Sequence, residues 1–356
     1  MLASVGVPRQ NGCVGQNPLK PDALLTSLLQ EVSRSFYKTL RVLPAKIRPQ
    51  ISLAYLLART TDTIADTGLI PLEQRLEALA AFRKRILGAN SHPINFTDLA
   101  QHQGTPAERV LLENCEQSVL LLESFSPADR ARLRDVLSII TNGQELDLRR
   151  FAAASADNII ALNKDPELDD YTYRVAGCVG EFWTKMCRAH LFPAPHLDET
   201  DLTTKGVVFG KGLQLVNILR DLPTDLRSGR CYLPIEPLAS ASLVPSDLLQ
   251  PANEPRLRPI YNRYLQRAQD FLKTGWAYTQ LVPWRCVRVR LACAWPLLIG
   301  NDTLALLRTG NILEPRHRIK VSRDQVKKII WRSVLYYPWP AAWRGLFSSP
   351  TARQDN

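Results

Sequence analysis

The spacing of the apolar residues most constrains this fold, because they recur every three or four positions over long windows. This period is typical of amphipathic helices, whereas half-buried strands alternate in steps of two. Representative stripes are Leu24, Leu25, Leu28, Leu29, Val32, Phe36; Leu72, Leu76, Leu79, Ile86; Val110, Leu111, Cys115, Val119, Leu122; and Leu133, Val136, Leu137, Ile140. The sequence therefore predicts an all-α helical bundle.

Three regions differ in composition along the 356 residues. Residues 1–21 are rich in Gly, Pro and Asn without a secretory apolar run, so we expect a disordered leader there. Residues 22–310 carry the helical pattern and are predicted to form a single domain. Residues 311–356 are basic and aromatic, and we interpret them as a C-terminal extension.

The positive charge of the chain is concentrated near its end. Residues 256–356 contain 18 Lys and Arg against 5 Asp and Glu, whereas residues 1–255 contain 27 against 29. Such a field suits a polyanionic partner, namely nucleic acid, an anionic membrane surface or a phosphorylated substrate. The seven cysteines form no CxxC pair, which favours free thiols and a cytoplasmic location.

The first chemical signal is a pair of carboxylates, Asp62 and Asp66. Residues four apart project from one face of a helix, and Tyr55 and Arg59 extend the same polar stripe. Two like charges side by side are mildly destabilising unless a cation lies between them. For one such pair alone, a solvated helix face is the alternative interpretation.

A second pair, Asp221 and Asp225, repeats this spacing. The polar residues that precede or flank it on the predicted helix are Gln214, Asn217 and Arg220. Pro223 lacks an N–H, and its ring clashes with the carbonyl four residues earlier. We therefore expect the helix to kink or end near Asp221, so that Asp225 reaches the site from an irregular last turn.

Together the two pairs predict a metal site. Helix bundles build such sites in their cores from carboxylates on facing helices. Hard oxygen ligands without nearby His or Cys favour Mg²⁺, which prefers a few carboxylates together with substrate phosphates. A nucleic-acid binder would explain the basic charge, but the acidic pairs would repel phosphate without metal. We therefore expect an enzyme for a phosphorylated substrate and no nucleic-acid partner.

Four sequence blocks resemble the squalene and phytoene synthase family, the head-to-head branch of the isoprenoid synthases. They are Ser33-Arg-Ser-Phe-Tyr37, Arg59-Thr-Thr-Asp-Thr-Ile-Ala-Asp66, Tyr171-Thr-Tyr-Arg-Val-Ala-Gly-Cys-Val-Gly180, and Gln214-Leu-Val-Asn-Ile-Leu-Arg-Asp221 running on to Gly229-Arg-Cys-Tyr-Leu-Pro234. The resemblance implies an isoprenoid synthase fold with a central cavity over residues 22–310. A head-to-tail prenyltransferase or terpene cyclase would share the acidic sites but gives no reason for the third and last blocks.

The resemblance also implies roles for single residues. Mg²⁺ would be bound by Asp62, Asp66, Asn217, Asp221 and Asp225. Two farnesyl diphosphates would be bound by Ser33, Arg34, Ser35, Tyr55, Arg59, Gln214 and Arg220. Tyr171 matches the tyrosine that helps to remove the proton closing a cyclopropane, although anchoring a helix start would also explain a buried Tyr.

The family divides at its second step, where squalene synthases deliver hydride from NADPH and phytoene or dehydrosqualene synthases lose a proton instead. The runs from Asp221 to Pro234 and from Ile319 to Arg323 resemble bacterial squalene synthases. We therefore expect a monomeric, NADPH-dependent squalene synthase, that is, a farnesyl-diphosphate farnesyltransferase. Dehydrosqualene or phytoene synthesis without reduction is the alternative.

The run of residues 325–344 differs from the hydrophobic anchor that ends the eukaryotic members. It mixes Lys and Arg with Trp and Tyr, a composition that fits a segment lying peripherally on the anionic inner face of a membrane. Packing of these aromatic side chains on the domain is an equally good interpretation.

Overall fold

The computed structural model describes residues 19–20, 23–33, 36–193, 198–314 and 319–348. The first helices are α1 (Leu29–Ser33), α2 (Phe36–Val42), α3 (Arg48–Asp66), α4 (Leu72–Ile86), α5 (Thr97–Gln101), α6 (Pro106–Glu113), α7 (Cys115–Glu123) and α8 (Pro127–Arg150). They are followed by α9 (Asp165–Thr172), α10 (Cys178–His190), α11 (Glu199–Arg227), α12 (Ile235–Ser240), α13 (Glu254–Leu281), α14 (Val287–Thr309), α15 (Arg323–Tyr336) and α16 (Pro340–Gly345). The all-α prediction is confirmed.

Short π-helical and 3₁₀ turns complete the helical structure. The π-helical turns are Leu24–Leu28 and Tyr173–Gly177, and the 3₁₀ turns are Pro245–Leu249, Pro251–Asn253 and Leu346–Ser348. Most of the predicted leader, namely residues 1–18 and 21, lies outside the described residues, and Cys13 is among them. Arg34 and Ser35 also lie outside the described residues.

The core lies between the long helices. α11 packs against α10 and α13, α13 packs against α14, and α3 packs against α8. On α3 the apolar positions Leu53, Leu56, Leu57 and Ile64 are completely buried. Because of the helical spacing, the carboxylates of α3 lie on a different side of the helix from these apolar residues. Burial of the apolar side therefore determines where the carboxylates point.

Glycines bring α10 and α11 close enough for their backbones to touch. A Cβ placed on Gly180 would lie 1.9 Å from the carbonyl oxygen of Gly206. A Cβ on Gly210 would lie 2.1 Å from the carbonyl oxygen of Ala176 in the adjoining π-helical turn. Since no side chain fits at these distances, glycine is required at both positions.

Two very short strands interrupt the helical pattern, and the apolar spacing of the sequence did not predict them. β1 (Ile160–Ala161) and β2 (Arg230–Cys231) pair in parallel, with Ile160 opposite Arg230. Gly229, at φ +81°, precedes β2 and approaches the backbone of Ser155. The pairing ties the segment after α11 to the segment before α9, and it places Arg230 beside the acidic residues described below.

The helix does not end near Asp221, as one form of the expectation had it, because α11 continues through Pro223 to Arg227. Proline removes the hydrogen bond that the Leu219 carbonyl would otherwise receive. The hydroxyl of Tyr261 on α13 donates to that carbonyl instead, at 2.9 Å. The buried carbonyl is therefore satisfied from a neighbouring helix, and Asp225 remains on regular helix.

Replacing Tyr261 with Phe should destabilise the fold by about 1–3 kcal/mol, because the buried carbonyl of Leu219 would lose its donor. The free energy of unfolding in urea measures the change. Tyr264→Phe, one turn further along α13, is the matched control: its hydroxyl donates to the carboxylate of Asp165, a side chain that water reaches more easily. An equal loss in both variants would contradict the explanation given for Pro223.

The C-terminal helices pack on the bundle. Trp343 of α16 is fully buried and stacks on Trp276 of α13, with ring centroids 5.6 Å apart. α15 lies against α14. In the described part of the chain, no helix has both the length and the apolar character needed to cross a bilayer.

Candidate functional site

The first carboxylate pair lies at the end of α3. Asp62 is partly buried, and its Oδ1 accepts a hydrogen bond from the Gln144 side-chain amide of α8. Burial and then the charge of Asp66 raise the pKa of Asp62 to about 6. Desolvation also raises the pKa of Asp66, against the opposing charges of Arg230 and Arg59. The pair therefore holds negative charge that the protein alone does not fully compensate.

The second pair lies on the last turns of α11. Burial, followed by the charge of Asp221, raises the pKa of Asp225 to about 7. Arg220 binds the carboxylate of Asp221 with both Nε and Nη2, at 3.0 and 2.5 Å. Nδ2 of Asn217 lies 3.4 Å from Oε1 of Gln214, so the polar face predicted for this helix is present.

The remaining predicted substrate residues have different surroundings. Arg59 forms an ion pair with Glu108 of α6 at 2.6 Å and extends away from its own helix. Tyr55 is half-buried against the core. Ser33 is buried, and its hydroxyl donates to the carbonyl of Leu29 at 2.5 Å, within its own helix. Arg34 and Ser35, predicted to bind diphosphate, lie outside the described residues.

Tyr171 on α9 stacks on Tyr232, which follows β2. Their ring centroids are 4.5 Å apart at an interplanar angle of 25°, and each hydroxyl influences the pKa of the other. The Tyr232 hydroxyl also donates to Oδ2 of Asp147 on α8 at 3.1 Å. Burial first, and then the charge of Asp147, raise the pKa of Tyr171 far above its ordinary value. Tyr171 is therefore a neutral phenol at physiological pH.

Three residues of this region were not assigned a role from the sequence: Asp147, Arg230 and Tyr232. Burial raises the pKa of Asp147 to about 6, and Arg230 lies 3.7 Å from its Oδ2. Arg230 also interacts electrostatically with Asp66 and Asp225, so it joins the two acidic helices. Two features of the sequence could have indicated these residues. One is the three-residue spacing of Gln144 and Asp147 on one helix, and the other is the block that contains Arg230.

Tyr171 lies within electrostatic range of carboxylates on both acidic helices. Its pKa responds to Asp62 on α3 and to Asp225 on α11. Residues from α3, α8, α9, α11 and β2 thus converge on one region. Such an arrangement combines clustered negative charge, guanidinium groups and two stacked phenols.

The donor set of this region fits a hard divalent cation. Within the described ranges, no three or more His, Cys, Asp or Glu side chains stand in a ready-made metal-binding arrangement. Burial nonetheless raises the pKa of Asp62 and of Asp225, and the other carboxylate of each pair raises it further. Oε1 of Gln144, beside Asp62, is buried and accepts no hydrogen bond from the described residues. Mg²⁺ binds oxygen ligands of this kind, whose negative charge or lone pairs have no partner in the protein.

The raised pKa values predict that the metal-free fold becomes less stable as pH rises and that added Mg²⁺ makes it more stable. A carboxyl group whose folded pKa exceeds its unfolded value makes the fold less stable as pH rises between the two values. For Asp62 and Asp225 that window runs from 3.8 to about 6 and about 7. The metal-free protein should therefore melt at a higher temperature at pH 5.5 than at pH 8.

Added Mg²⁺ should raise the melting temperature more at pH 8 than at pH 5.5, because the cation competes with protons for the same oxygens. Differential scanning fluorimetry at both pH values measures this. In Asp225→Asn the Mg²⁺ effect should shrink. A Mg²⁺ effect that is identical in both proteins would contradict the assignment of Asp225.

Comparison with known families agrees with the four blocks. The family profile described as squalene/phytoene synthase matches residues 29–325. A presqualene diphosphate synthase of Zymomonas mobilis is 34% identical over 231 residues, which are 64% of this chain and 65% of that protein. That match spans less than two thirds of the relative. A presqualene diphosphate synthase of Rhodopseudomonas palustris is 27% identical over 81% of this chain and 88% of that protein.

Solved structures share the fold. A structure of TcSQS with a bound ligand superimposes with a TM-score of 0.75 at 20% identity, covering 94% of this chain and 92% of that one. A dehydrosqualene synthase in complex with a ligand gives a TM-score of 0.59 at 20% identity, over 89% and 96% of the two chains. At these identities the likeness concerns the fold.

Proposed function

Because the chain belongs to the squalene/phytoene synthase family, we propose that it condenses two farnesyl diphosphates head to head into presqualene diphosphate. In a second step it reduces this intermediate to squalene with NADPH. The observation that carries the condensation is the convergence of the carboxylates of α3 and α11 on the stacked phenols of Tyr171 and Tyr232.

The first step is loss of diphosphate from an allylic carbon. Mg²⁺ bound by Asp62, Asp66, Asn217, Asp221 and Asp225 would neutralise the charge that develops on the leaving group. The guanidinium groups of Arg59 and Arg220 are each oriented by a carboxylate, Glu108 and Asp221 respectively. Arginine's planar fork suits phosphate oxygens, so these side chains would bind the diphosphate as it departs.

Closure of the cyclopropane requires loss of one proton from carbon. The electron pair of that C–H bond forms the new C–C bond, and the proton goes to the oxygen of Tyr171. The proton of Tyr171 moves to Tyr232, and that of Tyr232 moves to Oδ2 of Asp147, which it already faces at 3.1 Å. A neutral phenol thus acts as a base because a carboxylate with a pKa near 6 accepts the final proton.

Tyr171→Phe should slow presqualene diphosphate formation about 100-fold, the usual range for general acid–base catalysis. Farnesol release by Mg²⁺-dependent ionisation should persist, because the carboxylates are unchanged. Single-turnover product analysis separates the two events. Tyr173→Phe, on the neighbouring π-helical turn, is the control and should retain the wild-type rate; normal presqualene formation by Tyr171→Phe would refute the role.

Two observations bear on the second step. The relatives include presqualene diphosphate synthases and a phytoene synthase of Arthrospira platensis. Their names support the alternative, in which the same condensation occurs without reduction. The resemblance of the run from Asp221 to Pro234 to bacterial squalene synthases supports reduction. NADPH would then bind without a Gly-x-Gly-x-x-Gly motif, since no strand in the described residues precedes such a turn.

Incubation with farnesyl diphosphate and Mg²⁺, with and without NADPH, followed by mass analysis of both the prenyl diphosphates and the hydrocarbons, tests both steps. Squalene that appears only with NADPH supports the proposal. A conjugated triene formed from farnesyl diphosphate without NADPH supports the alternative, which is the same condensation without reduction. Absence of any coupled product, with intact folding by circular dichroism, would refute the condensation.

A further inference from the structure

The outer side of α15 and the turn after it expose an apolar, aromatic surface. Trp331, Val334, Leu335 and Trp339 are 66%, 51%, 39% and 57% exposed. The first three lie three and four residues apart, so they share one side of the helix. We call these four residues the aromatic face. Large apolar side chains grouped in this way mark an interaction surface, whereas scattered ones do not.

The opposite side of α15 is fixed to the bundle, so the aromatic face cannot turn inward. Ile329 and Ser333 are buried, and the Ser333 hydroxyl accepts a hydrogen bond from Nε1 of Trp295 at 2.9 Å. Tyr337 stacks on Trp284 with ring centroids 4.4 Å apart and donates to its carbonyl at 2.5 Å. These contacts determine the rotation of the helix about its axis.

A second group of exposed apolar residues lies around the turn between α13 and α14, which packs against the bundle-facing side of α15. This turn carries Trp284, which contacts Tyr337, and its exposed apolar residues are Leu281, Trp284 and Val287. Arg285 and Arg288 on the same turn are exposed as well. This second segment has the same composition as the aromatic face, with exposed aromatic or aliphatic side chains next to cationic ones.

The charge around this surface is strongly positive. Lys327 and Lys328 are exposed near the start of α15, and Arg344 is exposed on α16. Asp324 is the one acidic residue between positions 319 and 348, and it is paired with Lys327 at 2.8 Å. The aromatic face is therefore flanked by cations and almost free of carboxylates.

We propose that the aromatic face docks on the surface of an anionic lipid bilayer. Trp side chains prefer the interface between headgroups and acyl chains, and nearby Lys and Arg attract anionic headgroups. Val334 and Leu335 bury apolar area in the same layer. This docking goes beyond the proposed reaction and does not depend on it, because the surface lies on helices that contribute none of the carboxylates.

Other occupants fit the surface less well. A second copy of the chain would bring two basic surfaces together, and like charges in close contact are unfavourable. Nucleic acid would match the cations and could stack on Trp331 and Trp339, but it would leave the aliphatic side chains of Val334 and Leu335 in water. An anionic bilayer satisfies the aliphatic, aromatic and cationic side chains together.

Co-sedimentation of the full chain with vesicles tests the proposal. One set contains phosphatidylcholine alone, and the other contains phosphatidylcholine mixed with phosphatidylglycerol. The wild type should bind the anionic vesicles, and the variant Trp331→Ser/Val334→Ser/Leu335→Ser/Trp339→Ser should lose about tenfold or more of its partition coefficient. Leu120→Ser/Val244→Ser is the matched control, since these residues are 55% and 54% exposed elsewhere.

A charge variant separates the two contributions. Arg285→Glu/Arg344→Glu should reduce binding to anionic vesicles about tenfold and weaken its salt dependence, whereas Lys84→Glu/Lys273→Glu, with the same net charge, should bind almost as the wild type does. Equal sedimentation of the wild type and the quadruple serine variant would overturn the proposal. So would a dimer that the serine substitutions dissociate without any vesicle binding by the wild type.

Discussion

Replacing Asp62 with Asn is expected to lower the rate of farnesyl diphosphate ionisation by about 100- to 1000-fold. The substitution keeps the shape of the side chain and its acceptor for the Gln144 amide, but removes the negative charge. Preorganised groups aimed at developing charge typically contribute this much to catalysis. Initial rates at saturating Mg²⁺ and substrate measure the effect.

The same substitution should stabilise the metal-free protein at pH 8, because it removes a carboxylate whose pKa burial has raised to about 6. Loss of activity together with gain of stability cannot arise from misfolding. Asp98→Ala, at an exposed position on α5, is the control and should change neither quantity. Activity of Asp62→Asn within about twofold of the wild type would remove Asp62 from the proposed metal site.

Replacing Gly180 with Ala should destabilise the fold by about 3 kcal/mol or more, at or beyond the upper end of the usual cost of overpacking. The new Cβ would lie 1.9 Å from the carbonyl oxygen of Gly206, and a backbone atom cannot move aside as a side-chain tip can. α10 and α11 would have to separate. The free energy of unfolding in urea, with circular dichroism as the signal, measures the loss.

Gly104→Ala is the matched control, because no atom lies within 4 Å of the Cβ that it would add. It should leave the free energy of unfolding almost unchanged or slightly raised. A small effect of Gly180→Ala, similar to that of Gly104→Ala, would mean that the two helices do not approach as closely as described. The Tyr171 site would then be less rigidly held against α11.

Features that depend on one helix were predictable from spacing alone. Asp62 and Asp66 are four apart, as are Asp221 and Asp225, so the helical period places each pair on one face before any packing is known. The burial of α3 along Leu53, Leu56 and Leu57 follows from the same period. The all-α architecture is the sum of such local preferences.

The course of α11 through Pro223 could not be predicted in this way. The local rule that proline ends a helix holds when the freed carbonyl has no other donor. Here the donor is Tyr261, 42 residues further along the chain, and its position depends on how α13 crosses α11. A rule based on neighbouring residues has no access to that contact.

The sequence by itself determined the helical fold, the two acidic pairs and the basic end of the chain, because composition and spacing within single helices encode them. The tertiary structure decided that Asp147, Arg230 and Tyr232 join these pairs, and that the aromatic face of α15 remains uncovered. The physical reason is that charge coupling and burial depend on distances between side chains. Residues such as Asp66 and Arg230 are brought together only when separate helices and strands pack.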